Sequence, residues 1–267
     1  MLEIFSYGFM QRAVLAGLLI GISSALLGVF LLLRRMSLIG DGLSHIAFGG
    51  VALGLFLGVM PFEVAIIFSV LSALAIVKLR NWFNVKGDVS IGIVFSFALA
   101  LGVILLSLSN GFSVDLHYYL FGSIISVSPE DVTLAFAIAL VVVAFVFAYK
   151  NYLIYTCFDE TSARVSDVDV ELLSNILIIL TAISVVISIR IVGIFLVSSF
   201  LIIPPAASLQ VARSFKDALM CSILFSSLSI ILGLVISYYF NIASGGAIVF
   251  VSVLLFLLAS LYAKLKK

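Results

Sequence analysis

Long apolar runs broken by short polar stretches fill the chain from Val14 to Tyr262. Nine of them predict membrane-crossing helices: Val14–Leu33, Asp41–Val59, Phe62–Leu79, Val89–Leu108, Val132–Tyr149, Leu172–Ile189, Ile191–Val211, Ala218–Phe240 and Ala247–Tyr262. A hydrocarbon layer about 30 Å thick needs roughly 20 residues of helix to span it. The runs are continuous rather than alternating, so they predict helices and not the strands of a β-barrel. The breaks at Met60–Pro61 and at Arg190 are short enough to predict tight hairpins. Ser109–Asp131 is polar at both ends but holds Tyr118-Tyr119-Leu120-Phe121-Gly122, which fits a short interfacial or re-entrant helix and leaves eight to ten crossings open. No internal repeat or low-complexity stretch divides the chain. The expectation is an all-α polytopic membrane protein with one integral domain, residues 1–267.

Composition narrows this further. The 267 residues are 64% hydrophobic and 10% charged, against roughly 45–50% and 25% in ordinary soluble domains. That excludes a cytosolic enzyme, a nucleic-acid binder and a disordered chain. A net charge of +1 offers nothing to a polyanionic partner. Cys157 and Cys221 lie far apart in no metal or disulfide pattern. Met1–Gln11 lacks the basic leader of a cleavable signal. Lys and Arg collect on the cytoplasmic side of membranes. With the C-terminus inside, Arg34, Arg35, Lys78, Arg80, Lys86, Lys150, Arg164, Arg213, Lys216, Lys264, Lys266 and Lys267 face the cytoplasm and only Arg12 and Arg190 face out. The N-terminus is then expected outside and an odd number of crossings follows.

Ionisable residues inside apolar runs are expensive and mark candidate sites. Asp41 and His45 stand four residues apart, on one helical face. With Val59 at the outer edge, His45 lies roughly 21 Å below it, in the inner half of the hydrocarbon. Carboxylate oxygen with imidazole nitrogen suits zinc, manganese or iron. Two ligands leave a site to be completed by other residues or water. A structural Asp–His hydrogen bond and a proton relay fit the same two residues. Gly40 and Gly42 flank Asp41 and are expected to break the helix there, while Gly50, Gly54 and Gly58 leave room for a second helix. Asp115 and His117 fit a solvated outer-loop pair, or more weakly a capture point. Pro204-Pro205 predicts a kink. Arg190 reads as an anchor that snorkels to the outer surface, and Trp82 as an interfacial aromatic.

No GxxxxGK[ST] loop occurs, nor any Gly-Lys pair, so energy for pumping must come from an ion gradient or from another subunit. The longest cytoplasmic connection, Lys150–Glu171, carries Asp159 and Glu160 where a helix N-terminus favours them, with Val165 and Val168 as a small apolar stripe. A short amphipathic helix lying on that face would serve as a docking lever; an ordinary surface loop is the plainer alternative.

These residues also carry a resemblance. Arg34-Arg35-Met36-Ser37-Leu38-Ile39-Gly40-Asp41-Gly42-Leu43-Ser44-His45 resembles the signature that follows the first span in permease subunits of metal-ion ABC importers, the zinc/manganese/iron class. Asp88–Leu106, Tyr119–Ile124, Phe158-Asp159-Glu160 through Ala163, and Arg190–Pro204 are similar to later segments of that family, in the same order. The resemblance implies an ATP-driven importer of a divalent transition metal, zinc or manganese with iron as a further possibility, working by alternating access in the cell membrane. It implies a second copy of the chain, cytoplasmic ATP-binding subunits that hydrolyse the ATP, and an extracellular metal-binding protein. It implies no permanently bound cofactor and no nucleic-acid partner. Asp41 and His45 would line the metal pathway, and a coupling helix at about residues 158–170, with Phe158, Asp159, Glu160, Ala163 and Arg164, would meet the ATPase. The competing expectations are a permease for a metal chelate or vitamin, and a gradient-driven transporter acting alone.

Overall fold

The computed structural model describes residues 6–83, 87–108, 127–166 and 168–266. The expected outer-loop residues Asp115, His117 and Tyr118–Gly122, like Lys86, lie outside them. Among the described residues the secondary structure is helical throughout: α1 Gly8–Leu33, α2 Ile39–Leu57, α3 Pro61–Trp82, α4 Gly87–Leu108, α5 Pro129–Phe158, α6 Glu160–Val165, α7 Val170–Val192, α8 Ile194–Val211, α9 Phe215–Phe240 and α10 Ser244–Leu265. Eight of these are long and apolar enough to cross a membrane, and α8 carries a shorter apolar stretch, Val197–Val211. Each of the nine runs read from the sequence falls on its own helix.

The helices start and stop where backbone chemistry requires. Pro61 and Pro129 sit in first turns, where a missing N–H costs nothing. Ser128 and Asp131 form a reciprocal capping box, and Ser214 accepts from the Asp217 amide. Gly58 closes α2 in the left-handed conformation, φ +67°, which glycine adopts without a Cβ clash.

Successive helices alternate in direction between two ends. Leu33, Arg34, Arg80, Phe158, Glu160, Arg213 and Phe215 gather at one, the basic end. Arg190, Asp131 and Phe62 meet at the other. The helices α1, α2 and α7 are largely enclosed, while α3, α4, α5, α9 and α10 keep long apolar faces outward. Lipid chains are as apolar as leucine, so close backbone approach and interhelical hydrogen bonds hold such a bundle together. A methyl group built on Gly54 would stand 2.5 Å from Pro61 Cα, and one on Gly50 2.6 Å from Ala65 Cα, so α3 lies directly against α2. Ser226 and Ser222 on α9 donate to the carbonyls of Gly21 (3.0 Å) and Ala25 (3.1 Å) on α1.

Four sequence expectations are corrected. Gly40 and Gly42 do not break the helix; α2 runs through both, and the missing side chain of Gly42 admits Ile91 on α4. The span ending at Tyr149 continues to Phe158, because Leu153 and Thr156 are buried and keep the helix against the bundle. The tight link beside Arg190 falls at Gly193, whose φ of +86° separates α7 from α8. Arg190 itself is not a free interfacial anchor: it donates to buried Asp131 and lies over the Phe62 ring, 3.8 Å from the ring centroid.

Pro204 and Pro205 lie inside α8. A proline at 205 cannot donate to the carbonyl of Leu201. That carbonyl faces the bare Cα of Gly28 on α1, where a methyl would come within 2.2 Å of it, and Pro205 packs at the same place.

Candidate metal pathway and coupling surface

Asp41 falls in the first turn of α2 and His45 one turn later. Both leave the helix on the side away from α3, which packs on Gly50 and Gly54. His45 Nε2 lies 3.8 Å from Asp41 Oδ1. That is too far for a direct hydrogen bond, and near enough for one ion to touch both groups. Metal–oxygen and metal–nitrogen bonds of about 2.0–2.2 Å reach across such a gap. Among the described residues no group of three or more His, Cys, Asp or Glu could hold a metal. The pair would therefore offer a metal two ligands among the described residues.

The pair is open in the single chain. The Asp41 side chain is 55% exposed and that of His45 25%. The imidazole leans on Phe95 of α4, ring centroids 5.0 Å apart. Gly42 meets Ile91 between the two residues, and Ser44, buried, donates to Gly40 O at 2.8 Å. Asp41 and His45 thus lie along one open flank of the α2–α4 contact, with the Phe95 ring beside the imidazole.

The expected coupling residues gather at the basic end. The observed α6 is six residues long, shorter than the amphipathic stretch read from the sequence. Asp159 caps it by accepting from the Ser162 amide at 2.9 Å, and Ser166 ends it. Ala163 is fully buried and seats the helix, Val168 packs on the core behind it, and Val165 points outward at 83% exposure. Phe158 is 73% exposed. Glu160 accepts from Arg164 at 2.8 Å and from Arg80 of α3 at 3.2 Å. Partial burial alone would raise the Glu160 carboxyl. The Arg164 hydrogen bond and the charges of Arg80, Arg164 and Arg34 outweigh it and hold the group below the ordinary carboxylate range. The Ser162 hydroxyl and amide hold the Asp159 carboxyl low as well.

A cavity of about 380 Å³ opens beside this helix, lined by Arg34, Arg35, Arg80, Thr156, Phe158 and Glu160 among others. Arg34 is tied to Ser174 on α7 at 2.9 Å. Sequence reasoning missed both the Arg80–Glu160 tie and the Arg190–Asp131 pair. The Ser-Pro-Glu-Asp stretch at 128–131 is a capping signal that could have drawn notice to Asp131, but nothing in the sequence joins it to Arg190.

A bundle with eight helices long and apolar enough to cross a bilayer, among the described residues, is that of a multi-pass membrane protein. The chain belongs to the ABC 3 transport family, whose model matches residues 6–263. It is 35% identical over 260 residues to a manganese transport system membrane protein, MntC, of Listeria innocua, covering 97% of this chain and 92% of that protein. It is 34% identical to a high-affinity zinc uptake system membrane protein, ZnuB, of Haemophilus influenzae, covering 92% and 95%. PsaBC from Streptococcus pneumoniae, solved in complex with a Fab, superposes with a TM-score of 0.86 at 33% identity, covering all of this chain and 98% of the matched one.

Proposed function

We propose that this chain is the permease subunit of an ATP-driven importer of divalent transition metal ions, manganese or zinc. One observation carries the reading: an acid and an imidazole, 3.8 Å apart, share an open groove one to two turns inside an apolar helix. In hydrocarbon an unmet carboxylate is costly, so such a pair belongs to a water-filled route. The names borne by the relatives, manganese and zinc systems, agree with that donor set.

Two copies of the chain pack with their α2 and α4 flanks facing, so that the groove becomes a conduit. The N-terminus lies outside and the C-terminus in the cytoplasm. An extracellular metal-binding protein delivers the ion. Asp41 and His45 replace part of its water, and the incomplete ligand set lets it leave again. ATP hydrolysis takes place on separate cytoplasmic subunits that seat against α6. Phe158 and Val165 meet them, Ala163 and the Arg80–Glu160–Arg164 cluster carry their motion into α3 and α5, and the arginine-lined cavity receives an acidic side chain. The bundles then rock between outward- and inward-open forms.

The test is uptake of manganese and of zinc by the complex reconstituted with its ATPase and binding protein, comparing wild type with Asp41→Asn and His45→Ala. Both variants should assemble and lose uptake. Unchanged uptake in both would point to a large chelate that needs no ligating side chains, and would end this reading.

A further inference from the structure

The two helices that wall the groove run parallel in a fixed register. Gly42 meets Ile91, His45 meets Phe95, Gly49 meets Ala98, and Phe48 meets Gly102. From the Gly42–Ile91 contact, Asp41 lies one residue back on α2 and Gly92 one residue on along α4. Each step turns about 100° about its own helix, in opposite senses. For parallel helices face to face, both turns lead to the same side of the groove. Asp41 and Gly92 therefore oppose each other across it, within about 3 Å of the same height. Phe95, one turn further along that flank of α4, touches His45, which fixes the side independently. Asp88 occupies the same flank one turn toward the basic end, so the groove continues past Gly92 along an acidic wall.

Most glycines on α2 and its partners are filled by a neighbour: a methyl on Gly42, Gly49, Gly50 or Gly54 would collide within 2.6 Å. Gly92 differs. A methyl built there meets nothing within 4 Å, and its backbone is ordinary helix. Helix packing in the chain thus gives no reason for glycine at 92, and alanine would favour the helix by about 1 kcal/mol. The space it leaves lies on the open flank that Gly92 shares with Asp41.

We propose that Gly92 is the clearance of the metal pathway: by presenting no side chain opposite Asp41 it leaves room for the ion with the waters it retains, and so sets the size of cation that passes. The inference rests on Asp41 and His45 being the transient ligands.

The experiment is a graded series, Gly92→Ala and Gly92→Leu, in the full complex with its ATPase and binding protein. Manganese and zinc uptake are measured with the amount of assembled dimer. One misfitted methylene in a fitted site changes discrimination by about 10–200-fold. Gly92→Ala is expected to cut manganese uptake near the low end of that range, and to cut uptake of the smaller zinc ion less, so that the manganese-to-zinc ratio falls. Gly92→Leu stops both, with assembly intact. A purely structural glycine would not move the ratio. Uptake and ratio unchanged in Gly92→Ala would overturn the proposal, as would loss of the dimer in that variant. Asp41→Asn run alongside separates the two levels: if it too transports normally, the ligand reading has failed; if it is dead while Gly92→Ala is normal, only the clearance has.

Discussion

Arg80 on α3 donates to Glu160 at the start of α6 across 3.2 Å, eighty residues apart in the chain. This contact, with Ala163 buried behind it, makes a six-residue helix part of the bundle and not a loop resting on it. Both side chains are about one-third exposed, so the pair contributes under about 1 kcal/mol to stability. Under the proposed coupling its role is mechanical. Arg80→Ala is expected to leave the amount and melting of the permease nearly unchanged while metal-dependent ATP hydrolysis by the complex falls. Equal loss of uptake and of folded protein would assign the pair to folding instead.

The same cluster fixes a pH response. The folded Glu160 carboxyl titrates below its ordinary range, so its pairing contributes fully above that range and is lost only as pH falls through the lowered value. Coupling through α6 should therefore be flat from neutral into mildly acid conditions. Measuring ATPase association over a pH series checks this, and a decline that begins near neutral pH would refute the assignment.

At the other end, Arg190 joins α7 to the capped start of α5 through Asp131 and covers Phe62 of α3. Only 6% of the Asp131 side chain is exposed. Removing one partner of a buried pair costs about 3–5 kcal/mol, since the other charge is left unmet. Asp131→Ala and Arg190→Ala should each lower thermal stability sharply, and the double variant should lose less than the sum. Additive losses in a double-mutant cycle would show that the two side chains act separately.

Close packing of α2 on α3 gives a prediction for Gly54. A methyl there stands 2.5 Å from Pro61 Cα, main chain that cannot step aside. Gly54→Val should destabilise by about 1–3 kcal/mol through overpacking, whereas Gly92→Ala should not. Melting of the two purified variants checks the contrast.

Among the described residues, the eight membrane-length helices and the shorter apolar α8 were legible because each rests on an apolar run, and that signal is local. Asp41 and His45 were legible for the converse reason, as ionisable groups inside such a run. The overrun of α5 past Lys150 was not, since it depends on Leu153 and Thr156 finding a buried face. Arg190 looked like an anchor because sequence shows its depth but not that Asp131, fifty-nine residues earlier, waits beside it. Gly40 and Gly42 were misread for a related reason: glycine serves a bend and a close contact equally well, and for Gly42 only the presence of Ile91 decides between them.

The openness of Asp41 also bears on biogenesis. A lone protomer leaves this polar group uncovered on the first turn of an apolar helix, and contact with acyl chains there would carry a penalty. Covering it with a wetted seam between subunits removes that penalty. The residue that later greets the passing ion would thus already disfavour orphan copies, linking quality control of the newly inserted chain to the feature that makes it selective.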